Sequence, residues 1–245
     1  MLFRSLDTGS TFVYVTHDQM EAMTLATKIC LIDNGDLQQY DAPLDVYNKP
    51  NNLFVADFVG NPAINFIDAH GKQENGNFEL EVFNGKKLRF VPNEPLDIAA
   101  WRKEYALKLE EKGRELSEKA AKKGYVERSN KETSFKYHVA MINEAEDYDD
   151  EVEYTDEDYV IGIRPEFVEI SDHEKFEGEV YSSMPTGMET TVRVAIGNYL
   201  LTGVMFGGVV YKLGDKVKVG FKGNNAILFD RKSGEIVALG SLKEE

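Results

Sequence analysis

Nine short β-rich runs follow one another after residue 64: 65–69, 78–83, 87–91, 159–164, 176–181, 190–196, 199–205, 216–221 and 226–230. Gly-containing turns, among them Gly197-Asn198 and Ser233-Gly234, separate most of them. Strands this short and this numerous predict a barrel or a sandwich. The pattern breaks between residues 95 and 158. There Ile98, Trp101, Tyr105, Leu109, Leu116 and Ala120 recur at helical spacing, with Lys and Glu on the other face and Gly124 placed to end the helix. Roughly 28 residues at ~1.5 Å each make a helix about 40 Å long. An acidic stretch follows it, and the two together read as an insertion into a β domain.

The first sixty residues have a different character. Residues 11–16 (TFVYVT) are β-branched and aromatic without alternation, the pattern of a strand buried on both faces of a parallel sheet. Asp18 caps the helix that follows through Met20 to Ala26, with Glu21 completing a capping box. Residues 29–32 read as a second buried strand, turned at Asn34-Gly35 into a hairpin with 36–40. Pro43 opens a short helix over 44–48, Pro50 forbids its continuation, and a further short helix covers 52–59. A parallel strand needs sheet neighbours that these residues do not contain. Residues 1–60 therefore read as the tail of an α/β domain and 61–245 as a mainly β domain, with the boundary at Gly60–Pro62.

Charge filters the functions open to the chain. Lys plus Arg is 28 against 43 Asp plus Glu, a net charge of −15, which repels nucleic acid and anionic lipid. Ten of the fifteen residues from 144 to 158 are acidic and none is basic, so one segment supplies −10 of that total. The longest apolar runs are strand-sized, well below the ~20 residues of a membrane span. Cys30 is the only cysteine, which rules out an internal disulfide and suits a reducing compartment. With no basic-then-apolar leader, the expected location is the cytoplasm.

The segment from Val15 to Ala26 (VTHDQMEAMTLA) resembles the switch-histidine segment of ABC transporter ATPases, specifically the carbohydrate-importer group related to the maltose and multiple-sugar importers. The resemblance continues through residues 28–39 (KICLIDNGDLQQ), 42–47 (APLDVY) and 54–60 (FVADFVG). It reaches into the regulatory domain of that group through 62–66 (PAINF) and 162–166 (GIRPE). The last ~70 residues look like the small oligonucleotide-fold (TOBE-type) modules that end these ATPases. The whole resemblance omits only about residues 95–158.

What the resemblance implies is specific. His17 follows a buried strand at the point where ligands of α/β sheets collect. As the switch histidine it would donate to a γ-phosphate oxygen or orient the attacking water, thereby reading the presence of that phosphate. ATP and Mg belong to the parent protein, and neither is expected on this chain alone. No G-x-x-x-x-G-K-[ST] loop occurs, no apolar run ends in Asp-Glu, and the LSGGQ signature and glutamine loop are missing; the resemblance places them all upstream of Met1. The parent reads as a transport ATPase, and this chain as lacking the groups that phosphoryl transfer needs. The implied partners are a second copy of the chain, the permease subunits and a regulatory protein, at the inner face of the membrane without insertion into it.

Other candidates are weaker. Arg164 and Glu166, flanking Pro165 after an apolar run, suit a contact between the two domains or a plain surface pair. His70, His138 and His173 are scattered without metal-ligand spacing. Residues 147–151 (DYDDE) lack the central glycine and terminal glutamate of a calcium loop and read as solvated, with docking of a basic partner as the alternative. A barrel of this type also admits oligonucleotide or oxyanion binding. The charge opposes the first, and Ser182-Ser183 or Thr186-Gly187 are candidates for the second.

Overall fold

The computed structural model describes residues 10–123, 137–142 and 154–244. Helix α1 (Gln19–Leu25) is followed by a hairpin of β1 (Ile29–Asp33) and β2 (Asp36–Asp41), then by α2 (Pro43–Asn48) and α3 (Leu53–Phe58). The local chemistry accounts for each boundary. The Asp18 carboxylate accepts from the Met20 and Glu21 amides, Asn34 and Gly35 take the positive φ values that a tight hairpin turn requires, and Pro43 occupies the first turn of α2. Asn52 caps α3 through the Val55 amide.

Two expectations fail in this region. Residues 11–16 form no strand: they take no regular secondary structure, with Val13 and Val15 both 91% exposed. Nothing among the described residues pairs with them, and an unpaired strand has no ladder to hold it. Residues 29–32 are a strand but not a buried one. Among the described residues β1 pairs only with β2, so Leu31 alone of the strand is buried while Cys30 and Ile32 face outward.

The β region realises all nine expected runs: β3 (Asn65–Glu74), β4 (Asn77–Val82), β5 (Lys86–Pro92), β6 (Asp158–Ile163), β8 (Phe176–Pro185), β9 (Glu189–Ile196), β10 (Tyr199–Phe206), β11 (Lys216–Phe221) and β12 (Ala226–Asp230). It adds β7 (Val168–Ile170) and β13 (Ile236–Glu244). The strands sort into two antiparallel units. One is a closed barrel in the order β12-β13-β5-β4-β3-β6, and the other a five-stranded sheet in the order β10-β9-β8-β11-β7. This is the mainly β class expected, with a closed barrel, built as two units rather than one. The barrel is interleaved in sequence: the helical insertion separates β5 from β6, and the whole second sheet separates β6 from β12.

One core joins the units, from Phe78, Phe90, Tyr159 and Leu228 in the barrel to Phe176, Val192, Val194 and Val219 in the sheet. Phe78 meets Phe90 and Tyr159 edge-on. A second cluster lies outside the barrel, where Leu53 and Ala56 of α3 cover Phe66, Val160, Ile227 and Phe229. Because α3 covers the outer ends of the alternation, β12 is buried at every residue and β6 at five of six. A third cluster places Val55 and Val59 against Leu31 and Val46. Helix α3 thus packs on both the barrel and the N-terminal elements, although it precedes the boundary expected at Gly60–Pro62.

The insertion helix α4 (Ile98–Lys123) is anchored by its first turns. Asp97 accepts from the Ala99 and Ala100 amides, Ile98 and Trp101 pack against the core, and Arg102 bonds the buried Asp230 at 3.1 Å. The apolar face is not buried along its length: Leu109 is exposed, and the side chains of Leu116 and Ala120, like Gly124, lie outside the described residues.

Candidate functional site

The expected site residues lie along a junction between the N-terminal elements and the end of β6. His17 is exposed, in a bend directly before the cap of α1. Its neighbours are tied together. The Asp18 amide donates to Thr16 Oγ1 at 3.0 Å, and the Thr16 hydroxyl donates to Glu21 Oε2 at 3.0 Å. Tyr14 donates to the same carboxylate at 3.1 Å, and that hydrogen bond is the main reason its phenol is pushed up. The capping box is therefore half made: Asp18 caps the helix, while Glu21 holds Thr16 and Tyr14 instead of the Asp18 amide.

Arg164 is only 2% exposed, which the reading as a surface pair does not anticipate. The apolar run of β6 ends at Ile163, and Pro165 starts a single 3-10 turn, so the intervening side chain is directed under α2 and α3. Its Nη1 donates to the carbonyls of Ala56, at 3.2 Å, and of Val59; its Nη2 donates to the Tyr47 carbonyl at 2.9 Å. The guanidinium also lies 4.1 Å from the centroid of the Tyr47 ring. Burial pushes its pKa down, opposed by Tyr47, Glu166 and Asp57, and its Nε has no partner among the described residues.

Glu166 reaches the same tyrosine from the other end, accepting from the Tyr47 hydroxyl at 2.9 Å. Burial, then this hydrogen bond, pushes the phenol up to about 12. Arg164 and Glu166 thus share Tyr47, and no ion pair joins them directly among the described residues. Gly60 completes the junction. Its φ is +122°, and a Cβ there would sit 2.8 Å from Arg164 Nη1 and 3.3 Å from the Tyr47 ring. On the far side, Gln19 Nε2 donates to the Phe58 carbonyl at 2.5 Å, and Gln19 Oε1 accepts from the Gly60 amide at 3.0 Å. Gln19 and Tyr47 lie inside the runs 15–26 and 42–47, yet no spacing announces that either reaches so far along the chain.

The remaining candidates do not assemble. His70 contacts Asp158 at 2.7 Å and Glu157 at 3.5 Å, far in sequence from the other histidines, and no group of three metal-ligating side chains occurs among the described residues. Residues 147–151 lie outside the described residues. Thr186 spends its hydroxyl on the Glu189 carbonyl, whereas the Ser183 hydroxyl is enclosed without a partner among the described residues.

No protein-family model matches the chain. Among curated proteins, the sulfoquinovosyl glycerol transport ATP-binding protein SmoE of Agrobacterium fabrum is 29% identical over 226 residues, 91% of this chain and 47% of that protein. The xylose/arabinose import ATP-binding protein XacK of Haloferax volcanii is 57% identical over 60 residues, 24% of this chain and 16% of that protein. The sn-glycerol-3-phosphate import ATP-binding protein UgpC of Burkholderia mallei is 47% identical over 80 residues, 33% of this chain and 22% of that protein. The match falls in their C-terminal region, and the chain spans less than half the length of each. A solved structure of the cytoplasmic molybdate-binding protein ModG overlaps 67% of this chain and 94% of its own, at 15% identity and a TM-score of 0.37, too loosely to carry a ligand across.

Proposed function

We propose that this chain, homologous to the C-terminal part of ATP-binding proteins of sugar-importing ABC transporters, is the regulatory and dimerisation portion of such an ATPase subunit. The observation that carries this reading is the junction at Arg164. A β module with no nucleotide chemistry of its own holds, through a buried guanidinium, the elements that follow the histidine segment. In the parent, His17 reads the γ-phosphate, and the module biases the segment that carries it.

The residues around His17 do not fit ATP and Mg by themselves. The Asp18 carboxylate is used on the α1 amides and Glu21 on two hydroxyls, and no phosphate loop occurs in the sequence. Nucleotide and metal therefore belong to the parent's other parts, as do the permease contacts at the inner membrane face. A second copy of the chain and a regulatory protein are the proposed partners of the β module.

The test has two arms. The chain alone should neither hydrolyse ATP nor bind it tightly, and steady-state turnover abolished by His17→Ala would falsify this reading. Joined to the ATP-binding half of the xylose/arabinose relative, it should support hydrolysis that His17→Ala removes. Sedimentation of the full chain at tens of micromolar should show a dimer; a strict monomer counts against the dimerisation role.

A further inference from the structure

We infer that Gln19 is the positioning residue through which the β module sets the place of His17. Helix α1 buries none of its residues; its apolar attachment is the partly buried Met23. A seven-residue helix with so little packing does not hold its own position. Its polar attachment is the Gln19 carboxamide, which acts as both donor and acceptor to backbone, donating to the Phe58 carbonyl and accepting from the Gly60 amide.

Residues 58 and 60 flank Val59, whose carbonyl is taken by Arg164. The end of α3 leaves carbonyls without intrahelical partners. Two side chains divide them: Gln19 takes that of Phe58, and Arg164 takes those of Ala56 and Val59. A three-residue loop is therefore gripped from both sides, by a residue of the barrel and by a residue two positions after His17. The missing Cβ at Gly60 is what lets the guanidinium approach so closely. A displacement of the β6 end relative to α3 reaches His17 through this loop.

The meaning of that position rests on the reading of His17 as a phosphate sensor; the grip itself does not. The test uses the full chain, ¹H–¹³C NMR of the His17 imidazole (assigned with His17→Ala) and exchange of the Gly60 amide. Gln19→Ala should speed Gly60 exchange by about tenfold, the loss of one hydrogen bond, and shift the His17 signals. Amides of Val192 and Ile161 should not change. Gln19→Glu keeps an acceptor for Gly60 but loses the donor to the Phe58 carbonyl, and should leave Gly60 exchange between that of wild type and Gln19→Ala.

Arg164→Lys should shift the His17 signals in the wild-type background but not in the Gln19→Ala background. If that substitution unfolds the barrel, Arg164→Gln, which keeps an N–H donor near the α3 carbonyls and leaves Gly60 intact, replaces it. Unchanged Gly60 exchange in Gln19→Ala, or equal His17 shifts in both backgrounds, overturns the inference. Retained coupling with a chimera indifferent to His17→Ala would instead leave Gln19 as a positioning residue and remove the phosphate-sensor reading.

Discussion

Arg164 shows why a buried charge can be retained at a junction. Desolvating a guanidinium is costly, and here the compensation comes from three backbone carbonyls and an aromatic face rather than from a carboxylate. Removing it leaves those carbonyls without donors. Arg164→Met should lower unfolding stability by on the order of 4 kcal/mol, read by denaturant unfolding; a loss below about 1 kcal/mol, the level of a surface ion pair, would contradict this account. Tyr47 adds a pH dependence. Its folded pKa is raised to about 12 from 10.0, so its contribution is fully present below pH 10 and is lost as pH rises toward 12. The stability advantage of wild type over Tyr47→Phe should therefore shrink between pH 10 and 12. An advantage that stays constant or grows over that window would show that the phenol is not held in its protonated form.

At the level of elements, one pattern has two outcomes. Residues 11–16 and the strands β6 and β12 all lack hydrophobic alternation, though burial on both faces was expected only of the first. β6 and β12 achieve it because the barrel core lies on one side and α3 on the other. Residues 11–16 do not, since no described strand offers them an edge. Hydrogen exchange should be fast at Phe12 to Val15, or slow only at concentrations where a second chain supplies the edge. Protection at low concentration equal to that of Val192 to Ile196 would mean that the chain holds its own complete sheet and that the boundary at Gly60–Pro62 is misplaced. Helix α4 divides in the same way. Trp101 packs on the core and Leu109 does not, so Leu109→Ala should cost less than about 0.5 kcal/mol, whereas Phe78→Ala in the barrel core should cost about 3–5 kcal/mol. Equal losses for the two would indicate that the helix face is covered.

The molecule as a whole is interleaved, and this governs how it holds together. Barrel closure needs β12 and β13, which the chain supplies only after the entire second sheet. The two units also share one apolar core. Removing residues 226–245 should therefore unfold both, not only the barrel, and the intact chain should lose its near- and far-ultraviolet circular dichroism in one transition. Separate transitions, or a truncated chain that keeps a folded second sheet, would show the units to be independent.

Much was legible in the residues alone. The nine strand cores, the Asp18 cap, the Asn34-Gly35 turn and the Pro43 helix start are local: each follows from steric preferences and hydrogen bonds within a few residues. β13 escaped because Gly240 and Ser241 interrupt its apolar pattern, and β7 because three residues carry no periodicity. The candidate site divides the same way. His17 was visible as a residue in a motif, and Arg164 and Glu166 as a pair flanking a proline. That Arg164 is buried, that it meets Glu166 only through Tyr47, and that Gln19 grips the opposite side of the same loop are contacts between residues 39 to 119 positions apart. Such contacts depend on where α3 settles when its two apolar faces are both covered, and only the packed structure decides that.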